Sequence, residues 1–494
     1  MRVAMATDGA APVHPHHERR WAILAMLGIA QLMVILDATI VNIALPSAQK
    51  ALGFSNENRQ WIVTAYALAF GSLLLLGGRL GDLFGRKWTF IGGLIGFSVA
   101  SAIGGFADSF GVLVAARTLQ GAFGALLAPS ALSLLTVTFA GSPDRPKAFG
   151  IFGAIAGGGA SVGLILGGLL TQVLSWRWCL FVNLIIAVPA ALIALRLLVN
   201  QGDPERPRID IPGVVTATTG LFALVYGLSK AETSSWSDPV TIVALALSVV
   251  LLVAFVLIER RAAHPLLPLH IVWDRARGGA YASIALAGAG VFGVFLFLTF
   301  YMQQTLGLSP LTTGLAFLPM TAVIVVTSTT VQTRVLPRTG AKPIISVGMA
   351  LGIVGMLLYT SLPPHGEYVS HVLPGLLVLG LGMGCIFAPA FGTATLGVDR
   401  HEAGVASAMV NTSQQVGGSV GTALLSTIFA TAASSWAASH PRIPDLREVA
   451  TVHGYTVAFY WAAGLFGVGL IVALLVLPSG RPQTVPAVEA VAAE

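Results

Sequence analysis

The chain has 494 residues, of which 55% are hydrophobic and only 10% charged, and its mean hydropathy is +0.83. A soluble domain carries roughly 25% charged residues, so the composition excludes a soluble globule and predicts an all-α integral membrane protein. The net charge of +6 is read through the placement of Lys and Arg between apolar runs, and nucleic acid is not an expected partner.

Residues 1–20 are polar and read as a disordered cytosolic tail, with His14, His16 and His17 belonging to that tail and not to a metal site. The apolar run that follows is too long for the core of a signal peptide. A helix needs about 20 apolar residues to cross the hydrocarbon core. Fourteen segments qualify: 21–45, 60–78, 88–107, 111–139, 149–172, 178–199, 212–230, 239–258, 279–303, 311–333, 343–362, 372–394, 404–432 and 453–477. The end of the chain, 478–494, reads as a second loose tail. Cys179 and Cys385 lie in or beside apolar runs and suggest neither a disulfide framework nor a thiolate metal site.

Fourteen spans place both ends on one side. Of the 27 Lys and Arg residues, 20 fall in segments on the side of the N-terminus and six on the other, and Arg117 lies inside a span. The positive-inside rule then puts both termini in the cytoplasm. With only five lysines among the 27, and many Ala, Gly and Val, a bacterial inner membrane is expected. The largest outer loop is expected at 433–452. No loop has room for a catalytic or nucleotide-binding domain, and no G-x-x-x-x-G-K-[ST] motif occurs, so neither an enzyme nor direct use of ATP is expected.

Two charges stand deep inside spans, away from their ends. Asp37 sits in WAILAMLGIAQLMVILDATIVNIAL (21–45), and Arg117 in VAARTLQGAFGALLAP (114–129). At about 1.5 Å per residue, Asp37 lies roughly 25 Å beyond Arg20, while Arg117 lies about 13 Å below the outer surface. The two depths allow them to meet, and each then lowers the cost of burying the other. Burial opposes the charged carboxylate and the guanidinium favours it, so small rearrangements can change its proton occupancy. Arg117, Gln120, Gly121 and Gly124 share one helix face, suited to a wet cavity or a close helix contact.

These residues carry a resemblance. GRLGDLFGRKWTF (78–90) resembles the signature loop of the major facilitator superfamily at Gly78, Leu80, Asp82, Gly85, Arg86 and Lys87. LDATIVNIALP (36–46), which includes Asn42, is similar to the first-helix motif of that superfamily's fourteen-span drug:proton antiporter family (EmrB/QacA-like). The segment around Arg117 and Gln120, SWRWCLFVN (175–183), DIPG (210–213), HPLLPL (264–269) and YMQQTLGLSPLTTGLAFLP (301–319) add to it. The resemblance implies the major facilitator fold: a six-helix bundle at 21–199, two inserted helices with linkers at 200–278 and a second bundle at 279–477. It implies alternating access, with Asp37 as the proton-linked acid, Arg117 as its partner, and Asp82, Arg86 and Lys87 as a cytosolic latch. It further implies export driven by proton entry, with protons as the coupling ion and no other cofactor. The chain is expected to act as a monomer in the bilayer on a small hydrophobic or amphipathic substrate.

Two internal echoes suit a duplicated carrier. RVLPRTGAKP (334–343) keeps Gly340 and Lys342 but has Pro337 where Asp82 would correspond, and VGGSVGTALL (416–425) echoes SVGLILGGLL (161–170). The fifth span departs from the antiporter motif. It keeps Gly159, Gly163, Gly167 and Gly168 for helix packing, but Leu164 replaces the motif's proline. Candidate cavity residues are Asn42, Gln120, Tyr301, Gln304, Asn411 and Gln415, with Phe297 and Phe317 beside them. If Asp37 is the only buried acid, a cationic substrate would compete with the proton for it. Proton-coupled uptake and the movement of lipids or amphiphiles are the alternatives to export.

Overall fold

The computed structural model describes residues 19–55, 58, 61–200, 209–441 and 445–480, excluding the side chains of Asn42 and Arg400. The tails expected at 1–20 and 478–494 therefore lie almost wholly outside the described residues. Among the described residues there is no strand, and fourteen helices are long and apolar enough to cross a membrane. They are α1 (Arg20–Leu52), α2 (Trp61–Phe84), α3 (Arg86–Gly105), α4 (Phe110–Thr138), α5 (Arg145–Val173), α6 (Trp178–Leu197) and α7 (Ile211–Thr233). The remainder are α8 (Pro239–Glu259), α9 (Arg275–Thr305), α10 (Pro310–Thr339), α11 (Ala341–Ser361), α12 (Tyr368–Ala394), α13 (Ala403–Ser439) and α14 (Leu446–Val476).

Long runs of Leu, Ala, Val and Ile satisfy their backbone groups within the helix, the condition for crossing lipid. Where a helix begins, short polar side chains take up free amides. Asp210 accepts from Gly213 N at 3.0 Å, Asp238 from Val240 N at 2.8 Å, and Asp274 from Arg277 N at 2.9 Å. The outer loop expected at 433–452 shrinks to 440–445, because α13 runs on to Ser439 and α14 starts at Leu446. Alanine-rich TAASSWAAS continues the helix of α13 past the apolar run, since helix propensity outlasts hydrophobicity there. Val243, Val249 and Val250 of α8 are 63–65% exposed, an apolar surface suited to lipid.

Helices α1–α6 pack among themselves, and so do α9–α14. The two sets meet along α2 against α13 and along α5 against α10 and α12. Helices α7 and α8 form a hairpin, and α7 also lies against α2 and α13. Glycine makes these approaches possible. A Cβ on Gly417 or Gly421 of α13 would overlap the carbonyl oxygen of Ala285 or Ala289 on α9. We call the end where α1 begins the near face. There Arg20 pairs with Asp144, just before α5, at 2.6 Å, and Trp21 meets Phe139, just after α4.

Candidate functional site

Asp37 is 0% exposed and Arg117 1%. Four other helices close around the Asp37 carboxylate. Arg117 of α4 donates to Oδ2 at 2.6 Å; Gln120, one turn on, donates from Nε2 to Oδ1 at 2.9 Å; Asn183 of α6 donates from Nδ2 to the same oxygen at 2.8 Å. Ser101 of α3 accepts from Gln120 at 2.5 Å and from Asn183 at 2.9 Å. The guanidinium is held in turn by Gln120 Oε1 at 2.8 Å, by the Ile62 carbonyl of α2 at 3.3 Å, and by the face of Tyr66, 4.4 Å from the ring centroid. Val41, Ala44, Ala48, Ile62, Leu113 and Leu180 form an apolar wall beside Arg117. The spacing of Arg117 and Gln120 on α4 thus brings both side chains to one carboxylate. Ser101 and Asn183 were not singled out from the sequence. The signal available was a polar side chain deep in an apolar run, which is costly unless partnered.

The pair lies inside the first bundle, not between the halves. A cargo between the halves has no contact with a carboxylate that is 0% exposed, so direct competition between a cationic substrate and the proton at Asp37 does not fit this arrangement. Asp37 is also not the only buried acid. Asp82 is 8% and Glu259 5% exposed. Glu259 accepts from Leu266 N at 3.3 Å and Leu267 N at 3.1 Å, both in HPLLPL. Reading the sequence by span interiors missed Glu259, which stands at a helix end, while Asp82 is named by the motif but not as a buried acid.

The motif at 78–87 forms the near-face contact between halves. Asp82 Oδ1 accepts from Arg86 at 2.9 Å and from Gly404 N at 3.0 Å, and Oδ2 accepts from Val405 N at 3.2 Å. Gly404 and Val405 begin α13, so the carboxylate caps the positive end of a helix in the other half. A Cβ at Gly78 would lie 2.6 Å from the Gly404 carbonyl oxygen, and Gly85 has φ +91° with Asn200 pressed against it. Both positions require glycine. Lys87 departs from the expected latch: it donates to the Leu195 carbonyl at the end of α6 at 3.0 Å, within its own half. The duplicate loop repeats the geometry at Gly340, φ +81°, but Pro337 provides no carboxylate. A second near-face contact was not foreseen. Arg145 of α5 donates to Thr395 Oγ1 at 3.1 Å and to the Gly392 carbonyl at 3.5 Å, both at the end of α12.

The candidate cavity residues scatter. Tyr301, 0% exposed, donates from its hydroxyl to the Pro363 carbonyl at 2.8 Å and packs with Tyr455, which in turn meets Phe297. Phe297 and Phe317 are 2% and 0% exposed. Large aromatic faces are buried most favourably against one another, so these three belong to the core of the second half. Gln304 is exposed. Asn411 donates back to the Ser407 carbonyl of its own helix at 2.9 Å. Gln415 is half-buried, with its side chain over Gly71 of α2. The side chain of Asn42 lies outside the described residues. Gly159, Gly163 and Gly167 face α1, and Gly168 faces Leu311 of α10.

The family model described as Major Facilitator Superfamily matches residues 27–422. The chain belongs to the major facilitator superfamily. It is a family of membrane transporters, not of enzymes. The puromycin resistance protein pur8 of Streptomyces alboniger is 47% identical over 96% of this chain and 95% of its own length. The cephamycin export protein CmcT of Amycolatopsis lactamdurans is 39% identical, over 82% of this chain and 84% of its own. The tetracenomycin C resistance and export protein of Streptomyces glaucescens is 34% identical, over 88% and 81%. Among solved structures, the human organic anion transporter MFSD10 (TETRAN) superposes with a TM-score of 0.63 at 15% identity, covering 92% of this chain and 99% of that one. That likeness concerns the fold. The superfamily match agrees with the fourteen-helix transporter read from the sequence.

Proposed function

We propose that this major facilitator protein exports small hydrophobic or amphipathic compounds of antibiotic size from a bacterial cell, driven by proton entry. It works as a monomer in the inner membrane with both termini in the cytoplasm, and so confers resistance to its cargo. The near face defined above is then the cytoplasmic one. Support for cargo and direction comes from relatives whose names state resistance to puromycin and export of cephamycin and tetracenomycin C. The observation that carries the proton reading is the Asp37 carboxylate, 0% exposed and bound by Arg117, Gln120 and Asn183. An acid this deep in a membrane protein marks a proton or ion path by default. Protonation neutralises it and weakens its hold on Arg117, which supplies a difference between two states that an imposed proton gradient can bias.

Efflux of puromycin and ethidium from energised cells tests this reading. The expected result is efflux that a protonophore abolishes and that Asp37→Asn abolishes at unchanged protein level. Continued uphill efflux in Asp37→Asn would remove Asp37 from proton coupling, and gradient-driven accumulation inside the cell would reverse the direction.

A further inference from the structure

One buried polar atom in the Asp37 cluster has no partner. Asn183 is 0% exposed, and its Oδ1 accepts no hydrogen bond, while its Nδ2 donates to both Asp37 Oδ1 at 2.8 Å and Ser101 Oγ at 2.9 Å. Ser101 is saturated as an acceptor, since Gln120 Nε2 also donates to it at 2.5 Å. The ionised carboxylate has donors on both oxygens, and the other amide oxygen of the cluster, Gln120 Oε1, is taken by Arg117 at 2.8 Å. This arrangement suits an ionised Asp37 and lacks one thing that a protonated Asp37 requires. A carboxylic acid carries an O–H and needs an acceptor. The acceptor standing idle within the cluster is Asn183 Oδ1.

We infer that Asn183 is a positioning residue that follows the proton on Asp37 by turning its side-chain amide. This inference rests on Asp37 being the proton-carrying group. In the ionised state Nδ2 faces the carboxylate. When a proton from water adds to Oδ1 of Asp37, the carboxyl group becomes neutral and a donor. A half-turn about the last side-chain bond of Asn183 then brings its oxygen to the place its nitrogen held. That oxygen has two lone pairs, one for the Asp37 O–H and one for the Ser101 O–H, which is then free to donate. The nitrogen gives up two bonds, one to Ser101 Oγ and one to an Asp37 oxygen that no longer carries charge, and bonds to charged acceptors are about twice as strong as neutral ones. The turn joins α1, α3 and α6 in one proton-dependent exchange, with no movement of backbone needed to begin it. Glutamine would place the amide one methylene further along, and leucine would keep the volume with no amide at all.

The test is infrared difference spectroscopy on the full-length protein in lipid, titrated with acid, with asparagine side-chain carbonyls isotope-labelled. The chain has six asparagines, so the labelled bands are few. The expected result has two parts. A carboxylic-acid carbonyl band grows as pH falls and is absent in Asp37→Ala. A labelled asparagine carbonyl band shifts over the same pH interval and stays fixed in Asp37→Ala. In Asn183→Leu that amide shift is lost and the Asp37 band moves to higher frequency, because its hydrogen-bond partner is gone. If Asn183→Leu does not fold, Asn183→Gln serves in its place, since glutamine carries no label and the shifting asparagine band must vanish with it. An Asp37 band that titrates while every asparagine carbonyl stays still would overturn the amide turn and leave the proton reading standing. No carboxylic-acid band attributable to Asp37 at any accessible pH would overturn both.

Discussion

Replacing Asp82 with asparagine probes the near-face contact at nearly constant volume. In the wild-type chain two backbone amides at the start of α13 donate to one carboxylate, from Gly404 at 3.0 Å and from Val405 at 3.2 Å. Hydrogen bonds to a charged group contribute about 1.5–3 kcal/mol each, and a charge at a helix end adds up to about 2 kcal/mol when partly buried. Asparagine keeps one acceptor oxygen but turns an NH2 toward the other amide, so one bond and the charge are lost. Water can satisfy both amides once the halves part, which returns part of that energy to the separated state. The net bias removed is therefore about 2–3 kcal/mol, or roughly 30- to 150-fold in the ratio of closed to open near face, at 1.4 kcal/mol per tenfold. Arg86 keeps a carbonyl partner, so folding should survive. The assay is the distance between spin labels at Trp88 and Leu396, exposed residues of the two halves, with Cys179 and Cys385 replaced by alanine. Asp82→Asn should add a longer-distance population absent from the parent. An unchanged distance distribution, in a variant that is folded, would refute the argument that Asp82 holds the halves together.

Arg145→Leu removes the second near-face contact and should lengthen the same distances by a smaller population shift. Combined with Asp82→Asn it should give the sum of the two free-energy changes, because the two contacts share no partner; spin-label distances of all three variants check this. Arg117→Leu leaves Asp37 buried without its cation and should cost about 3–5 kcal/mol of stability, whereas Asp37→Leu with Arg117→Leu should recover most of it; melting temperatures in detergent will show whether the double variant melts above the single. Gly421→Leu drives a side chain into the Ala289 carbonyl and should lower the melting temperature sharply through overpacking of at least about 1–3 kcal/mol. Gly464→Ala, with nothing near its added carbon, should change it little.

Hydrophobic run length alone fixed the number of helices, because lipid admits few ways to satisfy a backbone. It failed at the far end of α13, where alanines extend a helix that hydropathy ends. The meeting of Asp37 and Arg117 was legible for a different reason: two unpartnered charges in hydrocarbon leave few arrangements open. Asn183 and Ser101 were not legible as partners, since a lone amide or hydroxyl within an apolar helix can point to its own backbone, as Asn411 does. The aromatic candidates failed because sequence shows that Tyr301 lies in a span but not which neighbours cover it. Lys87 was assigned to the latch from its place in the motif, yet its long side chain reaches the nearer carbonyl end of α6. Arg145 was counted as a loop charge, and only the packing of α5 on α12 turns it inward.

Under the proposed proton coupling, the placement of Asp37 decides how its protonation would reach the rest of the molecule. Sealed within the first bundle, it has no route to a cargo except through neighbouring helices. On its own helix, Leu32, Ile35, Thr39 and Ile40 press against Gly159, Gly163 and Gly167 of α5. The other side of α5 carries Gly153 against Ala388 of α12, Gly157 and Gly158 against Ile324 and Thr321 of α10, and Gly168 against Leu311. One helix thus presents bare backbone to both halves, and any turn or shift of α1 changes the seat of α5 on α10 and α12. Leu164 in place of a proline leaves this stretch of α5 with an unbroken set of backbone donors. The Asp82 contact lies elsewhere, between α2 and α13, and shares no residue with this seam. Under the function proposed above, a proton at Asp37 and the near-face contact at Asp82 would therefore be separable inputs to one equilibrium between the halves, the first acting through the α1–α5 seam and the second through α2 and α13.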